Sequence, residues 1–159
     1  MTNPLSDPEF VAGLRPVPSG LDDEAPTWPA VDLVGIRPDG SPAEIELGSA
    51  GRPVLLVFLA TNCDGCDTFW TGLVEPPADL DTVVVTRGPG GTDMGGVAAL
   101  AHGLSAVEVV MSDAAWTDYR VTGYPFLVLV DPTTRTIIGE SVGFGWSDIE
   151  ALRARIPEV

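Results

Sequence analysis

The chain has 159 residues, 45% of them hydrophobic, with 23 acidic side chains against eight basic ones and a net charge of −15. That charge disfavours a nucleic-acid backbone or an anionic bilayer as partner, the length suits one domain around a continuous core, and no run of 18 apolar residues exists to cross a membrane. All eight basic residues are arginine, and the imbalance reads either as solubility or, more sharply, as attraction to an electropositive partner surface.

Residues 1–30 carry Pro4, Pro8, Pro16, Pro18, Pro26 and Pro29 among serines and acids. They are predicted to form an extended arm, with a docked turn near Phe10 and with Trp28 pinning the arm to the domain that spans residues 31–159. The first residues lack the basic and apolar stretches of a secretory signal. The chain as it stands is therefore expected in the cytoplasm, or exported or membrane-tethered if an anchor has been removed. Residues 31–37 and 43–47 flank Pro38-Asp39-Gly40-Ser41, a turn-forming run, and read as a β-hairpin.

Residues 54–60, Val-Leu-Leu-Val-Phe-Leu-Ala, are apolar without alternation, as a central strand covered on both faces should be. A short helix is expected over 66–73, stopped by Glu75-Pro76-Pro77, with Phe69, Trp70 or Leu73 packed inward. Then come a strand over 82–86, a loop over 88–93, a helix over 94–102 and a strand over 107–111. A helical turn over 114–120 follows, capped by Ser112 or Asp113. Strands over 126–130 and 136–142 form an antiparallel hairpin. A last helix over 147–156 has Ser147 as cap and Glu150 at the third helical position, with Ile149, Leu152 and Ile156 on one face. This order predicts an α/β fold, a three-layer α/β/α sandwich. Four or five strands, with residues 54–60 inside, are joined by the N-terminal hairpin.

Cys63 and Cys66 are the only cysteines, and they follow the buried strand directly. Strand, Cys-x-x-Cys turn and helix in this order bring two sulfurs within bonding reach. The first lies at a helix N-terminus, where backbone N–H groups favour a thiolate. Cys63 is therefore expected to be the exposed sulfur and Cys66 the shielded one. A disulfide here closes too small a loop to hold a fold together, so its value is chemical or local. Thiol–disulfide exchange competes with three other readings. A structural zinc site needs more ligands than one pair and the single histidine, His102, provide. Copper transfer through two thiolates and an inert buried pair are the others. A thiol peroxidase would need a Pro-x-x-x-Thr-x-x-Cys setting with a polarising threonine and arginine, whereas this chain has Leu59 four residues before Cys63 and Thr61 only two before it. The glycine run from Gly88 to Gly96 lacks the phosphate-binding pattern and its lysine.

Two segments carry a resemblance. Phe58-Leu-Ala-Thr-Asn-Cys63-Asp-Gly-Cys66 resembles the active-site segment of the thioredoxin-like superfamily. Val121-Thr-Gly-Tyr-Pro125-Phe resembles the segment that bears that family's cis-proline. Together with the added hairpin, the chain over residues 30–157 looks nearest to the exported or membrane-tethered reductases associated with cytochrome maturation. The resemblance implies a protein thiol–disulfide oxidoreductase of reductant-like character, with Cys63 as attacking sulfur and Cys66 as resolving sulfur. It implies substrate contacts at Tyr124, Pro125, Asn62 and Asp64, a cis Tyr124–Pro125 bond, and no cofactor or metal. The partners implied are a protein thiol or disulfide substrate and a separate electron-donor protein, with no nucleic acid and no direct membrane insertion. The chain departs from the family at Asn62, at Asp64-Gly65, at Asp67 and at Val57, where some members hold a buried acid. Glu75 is the nearest acid downstream, and Pro76-Pro77 are expected to hold it outside. These departures keep a second class open: a binding or scaffold module that retains the fold and dithiol with weak or no turnover.

Overall fold

The apolar run that stands out in the sequence becomes the strand β3, Val54–Phe58, with all five residues buried. This computed structural model describes residues 28–156. The expected arm and the turn near Phe10 lie outside the described residues except for Trp28, Pro29 and Ala30. Alternate side chains of β3 serve two separate cores. Leu55 and Val57 pack on one face, and Val54, Leu56 and Phe58 on the other. Removing each such side chain from water is worth roughly 1.5–3 kcal/mol, which is why an apolar run without alternation settles between two layers.

Seven strands form one sheet in the order β2-β1-β5-β4-β3-β6-β7. They are β1 Leu33–Ile36, β2 Pro42–Ile45, β4 Asp81–Thr86, β5 Glu108–Met111, β6 Phe126–Asp131 and β7 Thr136–Val142. β3 lies parallel to β4, with Val54 opposite Asp81, and antiparallel to β6, with Phe58 opposite Phe126. The helices are α1 Asp64–Gly72, α2 Met94–Ala101, α3 Asp113–Asp118 and α4 Trp146–Arg153. Phe69, Trp70, Val97, Ile149 and Leu152 from α1, α2 and α4 share the core with Leu55, whereas Ala115 and Trp116 from α3 share the core with Phe58. The expected three-layer sandwich with its N-terminal hairpin is the observed fold.

The hairpin extends the five-stranded core by attaching to the edge of β5. Ile36 pairs with Met111, and the Ser112 hydroxyl donates to the Val34 carbonyl at 2.6 Å. A Cβ at Gly35 would collide with the Met111 carbonyl, so only glycine lets the two backbones approach there. Ser112 also caps α3, accepting from the Ala115 N–H, as one of the two expected caps. Where the chain reaches the domain, Trp28 and Ala30 bond along the start of β7. The Tyr119 hydroxyl accepts from Val31 N–H at 2.8 Å and donates to its carbonyl at 2.6 Å.

Several element boundaries differ from the sequence expectation, and three of the shifts have a visible local cause. The strand expected through Ala60 ends at Phe58, because Ala60 spends its backbone elsewhere. Its N–H points to Cys66 Sγ at 3.4 Å and its carbonyl accepts from Trp70 Nε1 at 3.0 Å. The helix expected from residue 66 begins at Asp64, since Cys63 acts as its cap. The last helix begins at Trp146 rather than Ser147, with Gly145 as cap. Asp148, not Glu150, reaches back to the N–H groups of Phe144 and Gly145, at 2.6 and 3.0 Å. Packing explains the shift: the Trp146 ring lies where a side chain on Gly72 would be, 2.5 Å from its Cβ position, and this contact fixes the register of α4 against α1.

Candidate functional site

The sheet delivers the chain to the carboxyl end of β3, where parallel strands leave a crevice. Residues 59–63 make the turn and α1 begins at once. Cys63 has an extended backbone, φ −126° and ψ 121°, as a helix cap must. Its sulfur accepts from the Cys66 N–H at 3.2 Å, so a thiol fills the role usually taken by a serine or aspartate oxygen. Both cysteines are free thiols, Cys63 half-buried and Cys66 fully buried.

Cys66 sits in the core with Phe69, Trp70 and Leu73, all 4% exposed or less. Burial, then the hydrogen bond with Cys63, then the negative charge of Asp67 push its thiol up to about 12, against the opposing pull of the Ala60 N–H. It is a resting thiol at neutral pH. No carboxylate takes the place of Val57, which is itself fully buried, and Glu75 lies exposed beyond the end of α1.

Across from the cysteines the Tyr124–Pro125 bond is cis. Pro125 is buried, and its Cδ lies 3.4 Å from the Cβ position of Gly65, so the ring covers the first turn of α1. The Pro125 carbonyl accepts from Gly143 N–H at 2.8 Å. Gly143 in turn fits between Phe69 and Pro125, where a Cβ would stand 2.9 Å from the Phe69 ring. Beside this contact, Val142, Phe144 and Tyr124 are 47%, 86% and 48% exposed and make an apolar rim. Asn62 and Asp64 are exposed on either side of Cys63. All six residues singled out in the sequence therefore come from two segments that meet at one place.

Sequence reasoning missed one wall of this place. A cavity of about 250 Å³ adjoins Asn62 and Tyr124, lined also by Arg87, Thr92 and Trp116. Arg87 follows the last residue of β4, and its guanidinium lies 4.8 Å from the centre of the Trp116 ring. The glycine-rich loop, read only as a connection, carries Gly91 and Thr92 into the lining. The one available signal was the position of Arg87 at the carboxyl end of a strand next to β3. Phe144 was missed too; an aromatic residue between two glycines in a loop was its signal. His102 is exposed, and among the described residues no three His, Cys, Asp or Glu side chains gather as metal ligands would.

No family model and no curated protein matches the sequence. Solved structures do. The chain is similar to a thio-disulfide isomerase from Thermus thermophilus at 20% identity and a TM-score of 0.62, over 84% of this chain and 99% of that one. It is similar to a thiol:disulfide interchange protein of the thioredoxin family from Chlorobium tepidum at 19% identity and 0.59, over 81% and 95%. It is also similar to the pneumococcal exposed lipoprotein thioredoxin Etrx1 from Streptococcus pneumoniae at 19% and 0.58, over 78% and 99%. At such identities the likeness is one of architecture, and the architecture is thioredoxin-like.

Proposed function

We propose that this protein is a thiol–disulfide oxidoreductase acting on protein substrates through Cys63 and Cys66. The observation that carries the reading is the unequal pair: a half-buried sulfur capping a helix and accepting from the Cys66 backbone N–H, with the Cys66 sulfur sealed beneath it. In the reducing direction the Cys63 thiolate attacks a substrate disulfide. The substrate S–S bond breaks, one substrate sulfur leaves as a thiol after taking a proton, and Cys63 forms a mixed disulfide. Cys66 then loses its proton and attacks Cys63 Sγ. The mixed disulfide breaks, the second substrate sulfur leaves, and the pair has given up two electrons. A separate donor protein restores the dithiol.

The rest of the site serves positioning. The backbone of Tyr124, held by the buried Pro125, would pair with an extended substrate segment. Asn62 and Asp64 would contact residues on either side of the substrate sulfur, and the apolar rim of Val142 and Phe144 would exclude water around it. Among the described residues no helix is long and apolar enough to cross a membrane. By likeness to the pneumococcal exposed lipoprotein, an exported and tethered setting is the compartment proposed, and cell fractionation tests it. The cytochrome-maturation branch is the substrate family proposed within this class.

The test is reduction of insulin by dithiothreitol, followed by turbidity, with and without the protein. Acceleration that disappears in Cys63→Ser supports the oxidoreductase. A second reading, a binding module with little turnover, is favoured by the absence of a carboxylate at Val57. It predicts no acceleration, together with a stable complex between Cys66→Ser and its partner.

A further inference from the structure

The cavity beside Cys63 sets the side-chain donors of Asn62, Arg87 and Thr92 among apolar neighbours such as Leu59 and Trp116. Trp116 is 2% exposed, and among the described residues its indole N–H has no hydrogen-bond partner. A buried donor left unpaired is costly, and this one belongs to a residue that lines the cavity. The Arg87 guanidinium stacks on the same indole, 4.8 Å from its centre. Its ion pair with Asp113, at 3.6 Å, is looser than those of Arg37, Arg52, Arg135 and Arg153, which lie at 3.0 Å or less. Asp113 itself is also engaged by the Gly88 N–H at 3.1 Å. The Arg87 side chain is 47% exposed, so its remaining donors are open. Asn62 and Thr92 add an amide and a hydroxyl to the same lining.

We infer that this cavity is a specificity subsite for a carboxylate, the side chain of a glutamate or aspartate that flanks the reacting cysteine of a peptide substrate. The inference rests on the oxidoreductase reading and names the substrate that the same site selects. Position supports a peptide residue: Asn62 precedes Cys63 and Tyr124 precedes Pro125, so a segment joined to Cys63 passes the cavity mouth. The guanidinium offers a forked pair of donors matched to a carboxylate, and the indole on which it stacks reports a change at that pair. The net charge of −15 opposes an acidic partner as a whole. One carboxylate at contact distance is a different matter, because distant charges are screened over about 8–10 Å in ordinary salt.

The experiment has two arms. In the first, disulfide-linked peptides with Glu, Gln or Lys beside the cysteine are reduced by the dithiol protein. The expected kcat/KM order is Glu, then Gln, then Lys, with Glu favoured over Gln by roughly fivefold. In Arg87→Gln the Glu-to-Gln ratio falls to about one, and Arg87→Lys keeps part of it. In the second arm, wild-type protein is titrated with the Glu and Gln peptides carrying serine in place of cysteine. The Trp116 indole N–H resonance, assigned by its loss in Trp116→Phe, should shift saturably with Glu only. Absence of reduction for every peptide would strike the oxidoreductase reading and leave the second arm to decide the subsite. Equal rates for Glu and Gln, a ratio unmoved by Arg87→Gln, or an indole resonance that ignores the Glu peptide overturns the subsite.

Discussion

The mouth and the floor of the site lie one helical turn apart and obey different physics. The mouth sets the half-buried Cys63 among the exposed Asn62, Tyr124 and Phe144. The floor, with Cys66, Phe69, Trp70 and Leu73, is core, and Cys66 is held there by contacts that stabilise the whole sheet. The contrast teaches that reactivity and stability are divided between two sulfurs. In the proposed exchange Cys63 would meet a partner without disturbing the fold, while Cys66 would stay out of solvent until a substrate sulfur is bound above it.

The largest expected effect is on turnover. Cys63→Ser should lower disulfide exchange by roughly a thousandfold or more, since the one other thiol, Cys66, is buried. Cys66→Ser should react once and stall as a mixed disulfide, visible as a mass adduct on Cys63. An adduct on the remaining sulfur of Cys63→Ser instead would erase the distinction between mouth and floor.

Stability should divide the other way. Phe69→Ala removes a ring with no exposed surface that packs against Gly143 across the floor, and should cost about 3–5 kcal/mol in denaturant unfolding. Phe144→Ala, at 86% exposure, should change stability by no more than about 0.5 kcal/mol while raising KM for a protein substrate. Similar losses for the two would show that the mouth is structural after all.

Alkylation sharpens the comparison in numbers. With its thiol pushed up to about 12, only ~10⁻⁴ of Cys66 is thiolate at pH 8, so limiting iodoacetamide should label Cys63 in preference by on the order of tenfold or more. Because the raised thiol stays protonated until pH nears 12, the preference should shrink as pH climbs toward that value. Peptide mapping by mass spectrometry reads both. The smallest effect is electrostatic. Asp64 and Asp67 lie in the first turn of α1, where they oppose negative charge on the reduced pair. Replacing both by asparagine should make the reduction potential more oxidising by about 10–30 mV, measured against glutathione buffers.

Much of this was legible in the sequence, for identifiable reasons. Val54–Phe58 could be read because burial on both faces leaves no polar alternation. Cys63, Cys66 and Pro125 could be read because their chemistry is local. The start of α4 could not, since the Trp146 ring against Gly72 sets its register and no short-range pattern records that contact. Nor could the wall formed by Arg87 and Trp116. The two lie 29 positions apart, one after a strand and one in a short helix, and only the sheet order makes them neighbours. Ser112 was legible as a cap but not as the tie to Val34 that carries the hairpin.

The Cys63 sulfur is also the acceptor for the Cys66 amide at 3.2 Å. A thiolate is a strong acceptor and a disulfide sulfur a weak one, so each passage through the proposed redox cycle would alter how firmly that one amide proton is held. Its exchange with deuterium and its nuclear resonance become a gauge of oxidation state that belongs to the molecule itself. The protein can thus be followed through its cycle without dye, tag or coupled enzyme, by watching a single hydrogen at the start of one helix.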